Sequence, residues 1–285
     1  MKLSIILVNW KTRDITRDAL VSIYKETKGI DFEIIVIDNN SQDGSVEMIK
    51  QDFPQAILVE NKDNLGFGKA NNQALKIAKG DYLMFLNTDI LVLDGAINKL
   101  VEYLDKNSDV IMVGPRLLNK DLTFQHACRR SLPNPTNSFF HLFGLAKIFK
   151  NSKVINSYKK YNIDPEITGP TEALSGAAMM FRRQVYIEVG GFDEMFFMYG
   201  EDLDFCKRII DRGWQTVYVS YAKIIHFGGQ SSGQRKVKSL INFYQAMWIY
   251  YRKHYFKKSR LLVSLVVWCA IKIRMTLALT INLFK

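Results

Sequence analysis

The sequence predicts an α/β protein with a mostly parallel central sheet and helices on both faces. Two observations predict it. Through residues 3–119, short apolar runs alternate with segments of helical spacing, and the apolar runs are continuous instead of alternating with polar residues. Strands buried on both faces read as unbroken apolar runs, and parallel strands need helical crossovers between them. At 285 residues and 48% apolar, the chain can fill one sizeable core.

Residues 3–10, rich in Ile, Leu and Val, predict the first strand. A secretory signal is the competing reading of this run, but Trp10-Lys11-Thr12-Arg13-Asp14 follows with no small-residue cleavage site. Residues 12–28 carry Ile15, Ala19 and Ile23 at helical spacing, and residues 32–39 are a second strand. Ser41, Asp43 and Ser45 offer N-caps to the next helix. A strand at 56–61, a helix at 69–79 stopped by Gly80, a strand at 81–87, a helix at 94–107 and a strand at 109–115 complete the alternation.

Residues 119–170 hold Pro133, Pro135, Pro165 and Pro170 and predict a long, partly ordered insertion. Order resumes with a strand at 173–182, a helix at 200–212 and a strand at 215–225, and from Ser239 the pattern is helical to the end. Ligands of such sheets sit at the carboxyl ends of the strands. That rule gathers Asn9, Asp38-Asn39-Asn40, Asn61 and Asn87-Thr88-Asp89 along one rim.

The net charge of +11 is local. Beyond Asp211 there is no acidic residue, while thirteen Lys and Arg follow, so residues 1–211 carry a small negative balance. A local basic block implies a local anionic partner, either nucleic acid or lipid. In the tail, Tyr244, Trp248, Tyr250, Tyr251, Tyr255 and Phe256 suit a headgroup level, and an apolar stretch interrupted by Lys272 and Arg274 follows. That sequence favours a helix lying in a membrane interface, with Arg252, Lys253, Lys257, Lys258 and Arg260 facing lipid phosphates and no nucleic acid bound. A helix packed on the catalytic domain and a short transmembrane hairpin are the other readings. The three cysteines are far apart, which argues against a disulfide framework or a structural zinc site and fits a reducing compartment.

Several residues could carry chemistry. Asp38 ends a strand where a carboxylate can accept bonds from a ribose or base, although Asp-Asn-Asn-Ser is also good turn chemistry. Asp89 can hold a divalent cation that bridges two phosphates. Glu201, Asp202 and Asp204 crowd a helix start, where the dipole alone favours acids. His226 precedes Phe227-Gly228-Gly229, which permits close backbone approach to a ligand. No GxGxxG follows the first strand, so a dinucleotide site is not indicated.

Taken together and in this order, Ile37-Asp38-Asn39-Asn40-Ser41, Asn64-Leu65-Gly66-Phe67-Gly68, Leu86-Asn87-Thr88-Asp89, Ser175-Gly176-Ala177, Gly190 through Asp204 and Ile225-His226 resemble glycosyltransferase family 2, and within it the bacterial rhamnosyltransferase-like branch. The resemblance implies a GT-A, Rossmann-like catalytic domain over residues 1–235, with a nucleotide-binding half (1–118) and an acceptor-binding half (119–235). Residues 236–285 would be a basic, aromatic and apolar tail of amphipathic helices for membrane association.

By the same resemblance Asn9, Asp38, Asn64, Gly66 and Asn87 bind the nucleotide-sugar, Asp89 and His226 ligate Mg2+ or Mn2+, and Asp202 is the catalytic base. Asn87 stands where the family's metal motif has its first Asp, and Ala173 where the branch often has Trp. The implied reaction is inverting transfer of a sugar, with rhamnose the leading candidate, to a glycan or polyprenyl-diphosphate-linked acceptor. It would occur on the cytoplasmic side, peripheral to the plasma membrane. Two other classes compete: a non-enzymatic protein binding an anionic surface, and a sugar nucleotidyltransferase. The second would want a Gly-rich phosphate loop after the first strand, which Trp10-Lys11-Thr12-Arg13 lacks.

Overall fold

The computed structural model describes residues 1–134, 163–229 and 236–283. Much of the expected insertion, Pro135 included, lies outside the described residues. The first half runs β1 (Leu3–Asn9), α1 (Arg13–Glu26), β2 (Phe32–Asp38), α2 (Ser45–Asp52), β3 (Ile57–Glu60), α3 (Phe67–Ile77), β4 (Tyr82–Leu86), β5 (Ile90–Val92), α4 (Ala96–Lys106) and β6 (Val110–Leu118). Then come β7 (Arg129–Arg130), β8 (Gly169–Pro170), β9 (Ala173–Leu174), β10 (Ala178–Arg182), α5 (Arg183–Val189), α6 (Glu201–Ile210), β11 (Gln215–His226), α7 (Lys236–His254) and α8 (Leu261–Leu283).

The main sheet has the order β3-β2-β1-β4-β10-β6-β11-β5, with β8 on β11. β3, β2, β1 and β4 are parallel neighbours, as are β6 and β11. β10 runs antiparallel between β4 and β6, and β5 antiparallel against β11. A GT-A-like, mostly parallel sheet is therefore what forms, with antiparallel strands inserted in its second half.

The apolar runs behave as expected. Ile5, Ile6 and Leu7 on β1, Ile35 to Ile37 on β2, and Leu83 to Phe85 on β4 are all wholly buried. Each such side chain taken out of water contributes roughly 1.5–3 kcal/mol. Phe85 stacks on Phe192 at 4.4 Å and lies 5.1 Å from Phe181, while Phe205 of α6 meets Phe192 edge-on at 5.4 Å. This aromatic cluster clamps α6 and the loop before it onto the centre of the sheet.

Three local expectations are corrected. The strand expected over 173–182 is two, because Ser175-Gly176-Ala177 turns the chain, with the Ala178 N–H donating to the Ser175 carbonyl at 3.2 Å. The N-cap of α2 is Gly44 at φ 82°, not Ser41, Asp43 or Ser45. Asp43 still serves that end by accepting from the Ser45 N–H at 3.1 Å, while Ser41 bonds Asn9 and the Lys11 N–H. Finally, Tyr244, Tyr250 and Tyr251 are buried, not set at a headgroup level. Lys253 does not face lipid either, since its ammonium bonds Asp193 at 2.5 Å and Asp204 at 2.8 Å.

α7 is therefore fastened to the catalytic unit. His254 Nε2 meets Asp204 Oδ1 at 2.8 Å, and Tyr250 packs with Phe196 and Ala246. α8 behaves differently. Its inward face carries Ser264, hydrogen-bonded to Tyr251 at 2.9 Å, and the buried Ala270 and Ile271. Leu261, Leu262, Leu265, Val266, Ile273 and Ile281 point outward, each more than half exposed.

Candidate active site

The carboxyl ends of the strands open into a cleft of about 240 Å³. Val8 at the end of β1 and Trp10 beyond it, Asn39 beyond β2, Asn64 and Gly66 before α3 and Phe67 at its start form one wall. Asn87, Thr88, Asp89 and His226 form its floor, and Phe197, Met198 and Tyr199 face them. Lys238, Ser239 and Asn242 from the first turns of α7 close the far side.

Asp89 and His226 meet because β5 turns back antiparallel on β11, which sets Ile90 opposite His226. The Asp89 carbonyl then accepts from the Phe227 N–H at 2.9 Å. His226 Nε2 lies 3.3 Å from Asp89 Oδ1 and 3.3 Å from Asn87 Nδ2. The other ring nitrogen, Nδ1, sits 2.7 Å from Gln125 Oε1. Gln125 Nε2 donates to the His226 carbonyl at 3.2 Å and to Asn119 Oδ1 at 3.1 Å, so its Oε1 is the end turned to the ring. Nδ1 then carries a proton, and in the neutral ring Nε2 offers a lone pair.

A carboxylate oxygen and a bare imidazole nitrogen are both acceptors. Facing each other at this distance, they require a proton or a cation between them. With a proton the two form an ion pair; with the neutral ring the pair fits a divalent cation, the ring being oriented from behind as metal-ligating histidines usually are. No cluster of three or more His, Cys, Asp and Glu suited to a metal occurs among the described residues. A cation held by this pair alone would have its remaining positions open to oxygens of a bound ligand.

The cleft wall is built by amides. Asn39 Nδ2 donates to the Gly66 carbonyl at 3.2 Å, and Asn61 Nδ2 donates to Asn39 Oδ1 at 2.9 Å. Asn64 Oδ1 caps the Gly66 N–H at 2.9 Å. Gly66 has φ +86°, and a Cβ there would lie 2.5 Å from the Phe197 carbonyl, which accepts from the Phe67 N–H at 2.9 Å. Only glycine admits that approach, and it holds the 197–199 loop over the cleft.

Of the residues singled out from sequence, Asn64, Gly66, Asn87, Asp89 and His226 come together here. Asn9 and Asp38 stand behind the wall, 0% and 2% exposed. Asp38 accepts from Asn9 Nδ2 at 2.7 Å and from the Ser41 N–H at 2.9 Å. Asn9 Oδ1 receives Thr12 and Thr16. This network orders the strand ends and leaves each Asp38 oxygen one further acceptor site, while the neighbouring Asn39 takes the wall position.

Asp202 is not on that wall. It lies beside it, accepting from the Gly176 N–H at 3.2 Å, one residue from Ala177, whose carbonyl receives the Asn87 N–H. Arg130 Nη2 bonds Asp202 Oδ2 at 2.6 Å. Next to it, burial pushes the wholly buried Glu201 carboxyl up to about 8, with the Asp202 charge adding to the effect and Arg130 opposing it. Sequence reading missed Gln125 and Arg130, which lie in the irregular segment after β6, and it missed Lys238 and Asn242, which sit in what reads as a tail.

The family model described as "Glycosyl transferase family 2" matches residues 4–190, a span holding every wall and floor residue up to Asp89. The chain belongs to glycosyltransferase family 2. A second model, "Glycosyl transferase family group 2", matches residues 154–285. Membership in this family sets aside the non-enzymatic and nucleotidyltransferase readings.

Among curated relatives, the chain is similar to the N-acetylglucosaminyl-diphospho-decaprenol L-rhamnosyltransferase of Mycobacterium tuberculosis, 26% identical over 228 residues, 76% of this chain and 73% of that protein. Among solved structures, it is similar to a mannosyltransferase of Pyrobaculum calidifontis in complex with GDP-Man and Mn2+. The TM-score is 0.60 at 17% identity, covering 98% of this chain and 72% of that one. TarS of S. aureus gives a TM-score of 0.58 at 15% identity, covering 98% and 81%. These two likenesses bear on the fold alone, which is the GT-A glycosyltransferase fold.

Proposed function

We propose that this family 2 glycosyltransferase moves a hexose, with L-rhamnose the leading candidate, from a nucleoside diphosphate to a hydroxyl of a polyprenyl-diphosphate-linked acceptor at an anionic membrane surface. The observation that carries the donor half is the acceptor–acceptor pair Asp89–His226 at the floor of an amide-lined cleft. Similarity to a protein named for a decaprenol-linked substrate supports the acceptor half.

The division of labour follows from the geometry. Asn39, Asn64 and the Gly66 backbone offer fixed polar groups to a base and ribose, and Trp10 and Phe67 offer apolar wall. Asp89 and His226 would hold Mn2+ or Mg2+, the imidazole nitrogen favouring Mn2+. Such an ion supplies the positive charge that a departing diphosphate needs. Lys238, on the opposite wall, adds a second positive group.

Asp202 takes the proton of the attacking hydroxyl as the acceptor oxygen bonds to the anomeric carbon. The bond from that carbon to the diphosphate breaks, and the diphosphate leaves with the electron pair. A single displacement inverts the anomeric centre and needs no glycosyl-enzyme. The outward apolar face of α8, with Lys257, Lys258 and Arg260 at its start, would bring the cleft to lipid from the cytoplasmic side.

The test is a thermal-shift panel of dTDP-, UDP- and GDP-sugars on the full-length protein, with and without Mn2+, followed by NMR of the product's anomeric linkage. One nucleotide-sugar should stabilise the protein in a metal-dependent way, and its sugar should emerge inverted. Stabilisation by none of them, or a product of retained configuration, overturns the proposal.

A further inference from the structure

We infer that Arg130 is the positioning residue of the Asp202 carboxylate, turning it so that Oδ1 is the oxygen left to receive the acceptor's proton; the inference rests on Asp202 being the base, as proposed above. A carboxylate oxygen has two lone-pair sites. Oδ2 of Asp202 fills both, receiving Arg130 Nη2 at 2.6 Å and the Gly176 N–H at 3.2 Å. Oδ1 receives one bond among the described residues, from the Leu203 N–H of its own helix at 2.8 Å. One site on Oδ1 therefore remains, and it defines the direction from which a hydroxyl must approach.

The hold is built into the backbone. Arg130 lies on β7, paired opposite Ala173 of β9, and its carbonyl accepts from Thr171 Oγ1 at 3.2 Å. β9 runs directly into Ser175-Gly176, so the strand that fixes Arg130 also delivers the second donor. A Cβ on Gly176 would stand 3.2 Å from the Asp202 Cβ, so the residue that donates is the one that leaves room. With the two side chains 15% and 13% exposed, water competes weakly for the pair.

Charge balance adds a second argument. Asp202 is faced by Arg130 from β7, by the Glu201 carboxyl on α6 and by the Cys206 thiol one turn further on, itself pushed up to about 12 by burial. Glu201 Oε2 is buried without a hydrogen-bond partner among the described residues. A carboxylate beside a second acid and with so little water is held in its charged form by a neighbouring cation. Arg130 is that cation. It transfers no proton: the acceptor's proton passes to Oδ1, and the guanidinium stays charged throughout.

The test compares Asp202→Asn, Arg130→Gln and Arg130→Lys in the full-length enzyme, reading kcat against pH, donor affinity and Tm. Arg130→Gln should move the acidic limb of kcat upward by about one pH unit or more. Donor affinity should stay within about twofold, because Arg130 is not on the donor wall. Arg130→Lys, which keeps charge but not the guanidinium's reach, should leave the limb in place and lower kcat about tenfold.

An unmoved limb in Arg130→Gln, or wild-type kcat in Arg130→Lys, overturns the inference. If Arg130→Gln does not fold, the Lys variant still decides the orientation claim. Wild-type turnover in Asp202→Asn would instead sink the assignment of the base, which is a separate failure.

Discussion

Nδ1 of His226 lies 2.7 Å from Oε1 of Gln125, and Nε2 of the same ring lies 3.3 Å from Oδ1 of Asp89. The glutamine thus decides which nitrogen faces the cleft with a lone pair. Gln125→Met keeps the side chain's length and removes the acceptor. Mn2+ affinity in the presence of a nucleoside diphosphate should fall about 10–100-fold, read from free Mn2+ by electron paramagnetic resonance. Unchanged affinity would mean that the ring's orientation does not depend on Gln125.

Gly66 sits under the Phe197 carbonyl with φ +86°. In Gly66→Ala the methyl group meets that carbonyl and the left-handed backbone is disfavoured, which together should cost roughly 1–3 kcal/mol. The 197–199 loop must lift, so donor KM should rise more than kcat falls. A Tm and donor KM equal to wild type would show that the loop is not held by this contact.

The first half of the fold was readable because strands buried on both faces leave no doubt about their period, and Ile35 to Ile37 or Leu83 to Phe85 are of that kind. β5 was not readable. It begins one residue after Asp89 with no turn signal, and its three residues form a strand only because β11 is long enough to receive them. The same tertiary pairing brings His226 to Asp89, so the sequence named both residues without showing why they meet. Arg130 and Gln125 carry no local period at all, since β7 has two residues and the preceding turn is stabilised by distant partners. α7 reads as a membrane tail from its aromatics. In the fold Tyr250 packs on Phe196 of the loop before α6, and Tyr251 bonds Ser264 of α8.

The outward face of α8 predicts how the tail works. Within residues 261–282 the mean hydropathy reaches 1.9, yet the helix turns Ser264, Ala270 and Ile271 inward and most of its leucines outward. An apolar face of that size in water is unfavourable, and the adjoining Lys257, Lys258 and Arg260 suit the proposed anionic lipid. A chain ending at Lys258 should lose cosedimentation with phosphatidylglycerol vesicles while keeping nucleotide-sugar affinity. Retained vesicle binding would assign the membrane contact to another surface.

Asp204 is wholly buried and receives His254, Lys253 and Arg208. Burial works against its charge, but the bonds and charges of these partners outweigh burial and bring its pKa from 3.8 to about 2. A depressed folded-state value contributes stability above the ordinary value and loses it as pH falls from about 4 to 2. Asp204→Asn should destabilise the enzyme by about 1–3 kcal/mol at neutral pH, because it leaves the partly buried Arg208 and Lys253 without their counter-charge. The difference from wild type should be about 1 kcal/mol smaller at pH 3, measured by urea unfolding at both pH values. A gap that stays constant with pH would mean that the aspartate's charge is not what joins α7 to α6.

Asp89 lies on the floor of the cleft and Asp202 outside its lining, and this predicts different phenotypes. Asp89→Ala removes one of two protein groups suited to a cation, so metal-dependent donor binding should weaken about 10–100-fold, while binding without metal changes little. Asp202→Asn leaves the donor cleft untouched, since Asp202 is not among the residues that line it. It should therefore keep the donor affinity of the wild type and lose about 10²–10⁴-fold in kcat, the usual contribution of a positioned general base. Titration calorimetry of the donor, set beside initial rates, separates the two. If both variants lose donor binding equally, Asp202 belongs to the donor site and the base must be sought elsewhere on the rim.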